Sequence, residues 1–210
     1  FTKWRAIINI DTKKKLPSEY CIEANSYNLG RYAKIVQDYG MVPIVEPEVI
    51  MDGEHSINDC FNVTSKTLKS VFKHLNFHKV YIEGILLKPN MVISGTKNEK
   101  QASVSEIANM TMKCLKENVP NNLPGIVFLS GGQSNELATQ NLNEMNKENT
   151  DLPWKLSFSY GRALQQPALS KWLGEDRNIE PSQKALFHRS KLNSDAASGI
   201  YNPEDEKLIL

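Results

Sequence analysis

Two hydrophobic periods alternate along this chain, and the alternation leaves few folds open. Five short apolar runs rich in β-formers occupy residues 4–10, 41–45, 79–87, 125–129 and 154–158. Between them lie longer stretches with helical spacing, at 18–38, 57–75, 103–116 and 134–146. In the second of these, Ile57, Phe61, Thr64, Leu68, Val71, Phe72 and Leu75 fall on one stripe, as a core-facing helix requires. Strand and helix in regular succession predict a parallel sheet covered by helices, because parallel strands need a crossover between them. Two further helical patterns, 164–173 and 181–192, follow the last strand. The remainder reads as a single unit over 1–201 and a polar, mobile tail over 202–210.

Such a sheet is either open and doubly wound or closed into a (β/α)8 TIM barrel. Neither G-x-G-x-x-G nor a P-loop string occurs, so the nucleotide markers of open sheets are missing and the barrel is favoured. A complete barrel has eight βα units in about 250 residues. Only five are legible here, which predicts the last five units plus C-terminal helices. The chain also enters an apolar strand directly from Phe1, so an upstream portion is expected.

With 40% hydrophobic residues the chain can bury a sizeable core, and 25 Lys plus Arg against 24 Asp plus Glu leave no electrostatic footprint for nucleic acid or an anionic membrane. No apolar stretch approaches the roughly 18 residues of a membrane span, and no signal peptide is visible, so a cytoplasmic protein is expected. Cys21, Cys60 and Cys114 are odd in number and lack C-x-x-C spacing, so they read as inert thiols. His55, His74, His78 and His188 have no metal-ligand spacing, although Asp52-Gly53-Glu54-His55 keeps a site formally open; the expectation is no metal.

Chemistry concentrates where strands end. Lys88 closes the apolar run 80–87 and precedes Pro89, which stops a strand. In a parallel barrel that end carries the active site, where partial desolvation favours a neutral, nucleophilic amine. A lysine snorkelling at the sheet rim is the plain alternative. Lys3 and Arg5, two apart, share one face of the first strand, while Thr2, Trp4 and Ala6 take the other. They suit a phosphate or a developing alkoxide, or simply a frayed strand start. Glu46 and Glu48 end the second strand on a common side and suit proton transfer, or else a polar loop. The last two strands run into Ser130-Gly131-Gly132-Gln133-Ser134 and Ser159-Tyr160-Gly161-Arg162, where glycine amides, hydroxyls and a guanidinium can hold an anion. Neither serine sits in a G-x-S-x-G elbow, so hydrolysis ranks low.

Taken together, Lys3-Trp4-Arg5, Val45-Glu46-Pro47-Glu48, Leu86-Leu87-Lys88-Pro89-Asn90-Met91, Leu129-Ser130-Gly131-Gly132-Gln133-Ser134 and Phe158-Ser159-Tyr160-Gly161-Arg162-Ala163 resemble the C-terminal part of class I fructose-bisphosphate aldolase. The likeness runs from Phe1 to about Tyr201. It implies a glycolytic lyase that reversibly cleaves fructose 1,6-bisphosphate to dihydroxyacetone phosphate and glyceraldehyde 3-phosphate without a metal or other cofactor. Lys88 would form the Schiff base, Glu46 would act as acid and base, Glu48 would support it, and Lys3 would stabilise charge on substrate oxygens. Arg5 would serve the distal phosphate; Ser130, Gly131, Gly132, Ser159, Gly161 and Arg162 would hold the phosphate beside the ketone.

The resemblance also implies a homotetramer and a possible cytoskeletal partner. The family carries three more strands upstream, with an aspartate and a further lysine, and a tail ending in tyrosine, whereas this chain ends Lys207-Leu208-Ile209-Leu210. Two competing readings are an aldolase-derived scaffold without catalysis and another Schiff-base lyase acting on a monophosphate.

Overall fold

The computed structural model describes residues 1–207. Five parallel strands, β1 (Thr2–Ile8), β2 (Pro43–Val49), β3 (Leu86–Leu87), β4 (Gly125–Phe128) and β5 (Lys155–Phe158), form one sheet in the order β1-β2-β3-β4-β5. Each crossover is a helix: α1 (Glu19–Asp38), α2 (Ile57–Phe77), α3 (Val104–Asn118) and α4 (Asn135–Glu148); α5 (Arg162–Trp172) and α6 (Ile179–Ala197) follow β5. Spatial order equal to chain order, with no reversal, excludes the doubly wound alternative and is the arc of a β/α barrel.

Local chemistry starts the helices where the spacing predicts. Ser18, Ser56, Ser103 and Ser134 each accept a first-turn backbone N–H, and Asp59 completes a capping box with Ser56. The helices then bury their stripes against one face of the sheet, in a single cluster that includes Ile8, Leu29, Val45, Leu68, Leu87, Ile126, Phe128 and Leu142.

Three expectations need correction. The run 79–87 is not one strand: Ile82–Gly84 is a 3₁₀ turn, and only Leu86 and Leu87 join the ladder. Val80, Ile82 and Ile85 are buried, and the Gln37 side chain takes both backbone groups of Tyr81, so the apolar residues line a connection rather than a strand.

The second strand, expected at 41–45, runs from Pro43 to Val49, so Glu46 and Glu48 lie inside it and not in a loop. Pro47 is tolerated there because odd-numbered residues of β2 face β3. Val45 O accepts from Lys88 N and Val49 N donates to Asn90 Oδ1, while Pro47 points at the gap where Pro89 also lacks a donor.

Finally, the segment expected as a mobile tail from Asn202 forms a 3₁₀ turn at Pro203–Lys207, pinned by an Arg189–Glu206 ion pair. The end of that expected tail, 208–210, lies outside the described residues.

Candidate active site

The strand register carries three of the expected residues into contact. Pairing of Arg5 with Glu46 across β1 and β2, and of Val45 with Leu87 across β2 and β3, puts Lys3, Arg5, Glu46, Glu48 and Lys88 on the sheet face opposite the helices. Glu46 lies between two lysines: Oε2 is 2.6 Å from Lys3 Nζ and Oε1 is 3.3 Å from Lys88 Nζ. Its side chain is 4% exposed and that of Lys88 10%, whereas Lys3 keeps 41%. Lys88 is thus buried and salt-bridged, not snorkelling at a rim. Glu48, equally enclosed, is paired with Arg5 one step further along the strands.

A buried amine touching a buried carboxylate can exchange protons with it. The second cation, Lys3, reaches the same carboxylate from the open side and is positioned to meet negative charge on a bound molecule. Burial of Lys88 also limits water around any bond formed to its nitrogen.

The two glycine motifs converge on the neighbouring strand ends. Leu129 N donates to Pro89 O, and Ser159 N to Phe128 O, so the polar residues after β3, β4 and β5 stand side by side. Gly131 and Gly132 have φ of +56° and +80°, which a Cβ would strain, and a Cβ on Gly132 would lie 3.3 Å from Arg162 Nη2. The Arg162 guanidinium therefore lies over the β4 loop from the first turn of α5. Gly161 caps that helix with no side-chain acceptor, which leaves its first amides available to an anion. Ser130 is buried; Ser159 is half-buried.

Two residues that the sequence reading quoted within its motif strings without giving them a role have structural roles at this site. Asn90 Oδ1 takes Val49 N while its Nδ2 donates to Thr64 Oγ1 and Met91 O, tying the end of β2 to the segment that follows Lys88. Gln133 is similarly buried beneath the β4 loop. A polar residue in an otherwise buried string after a strand is the only signal either leaves.

Away from this cluster, Cys60 and Cys114 are buried and their thiols are pushed up to about 11 by desolvation, while Cys21 is half-buried. The buried His55 ring has no protein hydrogen-bond partner, and its surroundings lower its pKa by desolvation. Among the described residues no group of three or more His, Cys, Asp or Glu side chains is arranged to hold a metal ion, and no helix is long and apolar enough to cross a membrane.

A family model described as fructose-bisphosphate aldolase class-I matches residues 1–209. A probable fructose-bisphosphate aldolase class 1 of Xanthomonas axonopodis pv. citri is 53% identical over 200 residues, 95% of this chain and 59% of the relative. The cytosolic fructose-bisphosphate aldolase 6 of Arabidopsis thaliana is 49% identical over 208 residues, 99% of this chain and 57% of the relative. The solved fructose-bisphosphate aldolase of Plasmodium falciparum, in complex with TRAP and a small-molecule inhibitor, superposes with a TM-score of 0.94 at 45% identity, over 96% of this chain and 58% of that one. The chain therefore spans somewhat under two thirds of the proteins it matches.

Proposed function

Because this chain belongs to the class I fructose-bisphosphate aldolase family, we propose that it supplies the Schiff-base centre and one phosphate site of an enzyme that reversibly cleaves fructose 1,6-bisphosphate to dihydroxyacetone phosphate and glyceraldehyde 3-phosphate. The observation that carries this reading is the Lys88–Glu46–Lys3 row, with Lys88 and Glu46 buried and Lys3 at its open end.

Lys88 Nζ attacks the ketone carbon, and loss of water leaves an iminium. Glu46, in contact with Nζ, takes the amine proton and returns one to the departing hydroxyl. The iminium then accepts the electron pair of the bond between its α and β carbons as Glu46 takes the proton of the β-hydroxyl, releasing the aldehyde and leaving an enamine. Protonation at carbon and hydrolysis by water free dihydroxyacetone phosphate and restore the amine. Lys3 offsets negative charge on the substrate oxygens during these steps, and Glu48 keeps Arg5 oriented for the distal phosphate.

Ser130, Gly131 and Gly132 with Ser159, Gly161 and Arg162 hold the phosphate next to the ketone, and the uncapped α5 amides support that role. No metal enters these steps. Cytosolic relatives support a cytoplasmic location, and a homotetramer with a possible cytoskeletal partner completes the reading.

Borohydride trapping with dihydroxyacetone phosphate, followed by peptide mapping, tests the assignment on the intact protein. Label on Lys88, abolished by Lys88→Met, is expected. A stable adduct on any other lysine, or none, overturns it.

A further inference from the structure

Glycine makes the β4 loop able to adopt its shape but contributes nothing to hold that shape, since Gly131 and Gly132 have no side chains to pack. The restraint comes from behind. Ser130 O accepts both the backbone N–H and the side-chain Nε2 of Gln133, each at 3.0 Å. Gln133 is itself fixed by Asn141 Nδ2, which donates to its Oε1 at 2.7 Å from the second turn of α4. Asn141 is fully buried, so this chain of hydrogen bonds has no water to fall back on.

A second brace reaches the same helix from the C-terminal side. Arg189 of α6 is 3% exposed, and its Nη2 donates to Asn135 O at 2.9 Å and to Thr139 Oγ1 at 2.6 Å, gripping the first turn of α4 directly after the cap residue Ser134. That turn is the positive end of the helix dipole, so a guanidinium there needs an anion. Glu206 provides it through Nη1, and Tyr201 donates to the other Glu206 oxygen at 2.8 Å. Tyr160, beside the second anion loop, donates to Ala138 O of the same helix at 2.9 Å. Both loops are thus tied to α4, and α4 is tied to residues 201–207.

We propose that Arg189 and Glu206, together with Asn141 and Gln133, are positioning residues that hold the Ser130-Gly131-Gly132 cradle in its phosphate-binding shape. The segment following Asn202 then belongs to the support of the phosphate site. This rests on the reading of that cradle as the ketone-side phosphate site.

The test compares labelling of Lys88 by borohydride with dihydroxyacetone phosphate and with unphosphorylated dihydroxyacetone, in the intact protein and its Glu206→Gln and Gln133→Met variants. Affinity for inorganic phosphate is measured calorimetrically on the same proteins, so the cradle is read even if no Schiff base forms at Lys88. Both variants are expected to lose the preference for the phosphorylated ketone by roughly tenfold, as misplacement of a binding group does. Dihydroxyacetone labelling should stay within about twofold, and phosphate affinity should fall in parallel with the lost preference. The double variant should cost no more than about the larger single loss, because both braces serve one loop. Unchanged phosphate affinity, or an equal fall with both ketones, overturns the proposal. Absence of Lys88 labelling in the unmodified protein defeats the Schiff-base reading alone, and phosphate affinity still decides the role of the brace.

Discussion

Glu46→Gln should destabilise the fold far more than Lys3→Met, although each removes one end of the same ion pair. At an effective dielectric of about 20, the Glu46 carboxylate attracts Lys3 at 2.6 Å by ~6 kcal/mol and Lys88 at 3.3 Å by ~5 kcal/mol. Desolvation offsets most of both, so the net cost depends on what each substitution leaves behind. Without the Glu46 charge, the Lys88 ammonium stays buried with no counter-ion, a situation that costs about 3–5 kcal/mol. Without Lys3, the carboxylate keeps Lys88, and the lost partner was 41% exposed, so solvent screening holds the cost to about 1 kcal/mol or less. With a urea slope of roughly 2 kcal/mol per molar, the midpoint should fall by roughly 1.5–2.5 M for Glu46→Gln and by less than about 0.5 M for Lys3→Met. Equal shifts for the two variants, or a silent Glu46→Gln, would refute the picture of a carboxylate held between one buried and one open cation.

Three further outcomes are expected. The Glu23 carboxyl, hydrogen-bonded by His74, Lys73 and Ser70, is held down at about 2 from its usual 4.5. A depressed carboxyl contributes stability that is complete above about pH 4.5 and is lost as pH falls towards about 2, so Glu23→Gln should flatten the acid limb of the stability profile in that window; superimposable limbs would disprove it. Cys60 and Cys114, with thiols near 11, should resist iodoacetamide at pH 8 while Cys21 reacts, as mass mapping would show; early modification of either buried thiol would count against the packing. A Cβ at Gly95 would stand 2.4 Å from Gly53 O, where backbone amides of the loop after β3 donate to carbonyls of the loop after β2, so Gly95→Ala should cost about 1–3 kcal/mol in urea unfolding, and an unchanged midpoint would be inconsistent with that contact.

What could be read in advance follows from periods written into neighbouring residues. A period of two placed Lys3 with Arg5 and Glu46 with Glu48, a period of 3.6 placed the stripe of α2, and the alternation of the two gave parallel β/α architecture. Pro89 and the glycines after β4 and β5 marked where those strands stop, and strand ends are where a barrel does chemistry, so Lys88 and the two glycine loops stood out before any coordinates. Shortening of β3 to two residues was hidden because a buried connection and a buried strand have the same apolar composition.

The chain by itself therefore determined the fold class from local pattern, the family from the resemblance of its strand-end strings, and which polar residues are candidates for the chemistry. Only the tertiary structure decided which charge meets which. Register between strands sets Glu46 against both Lys3 and Lys88, and packing of α6 on α4 sets Arg189, from far along the chain, beneath the Gly131–Gly132 turn's helix. Such pairings arise from distances between segments 40 to 60 residues apart, which no local period encodes.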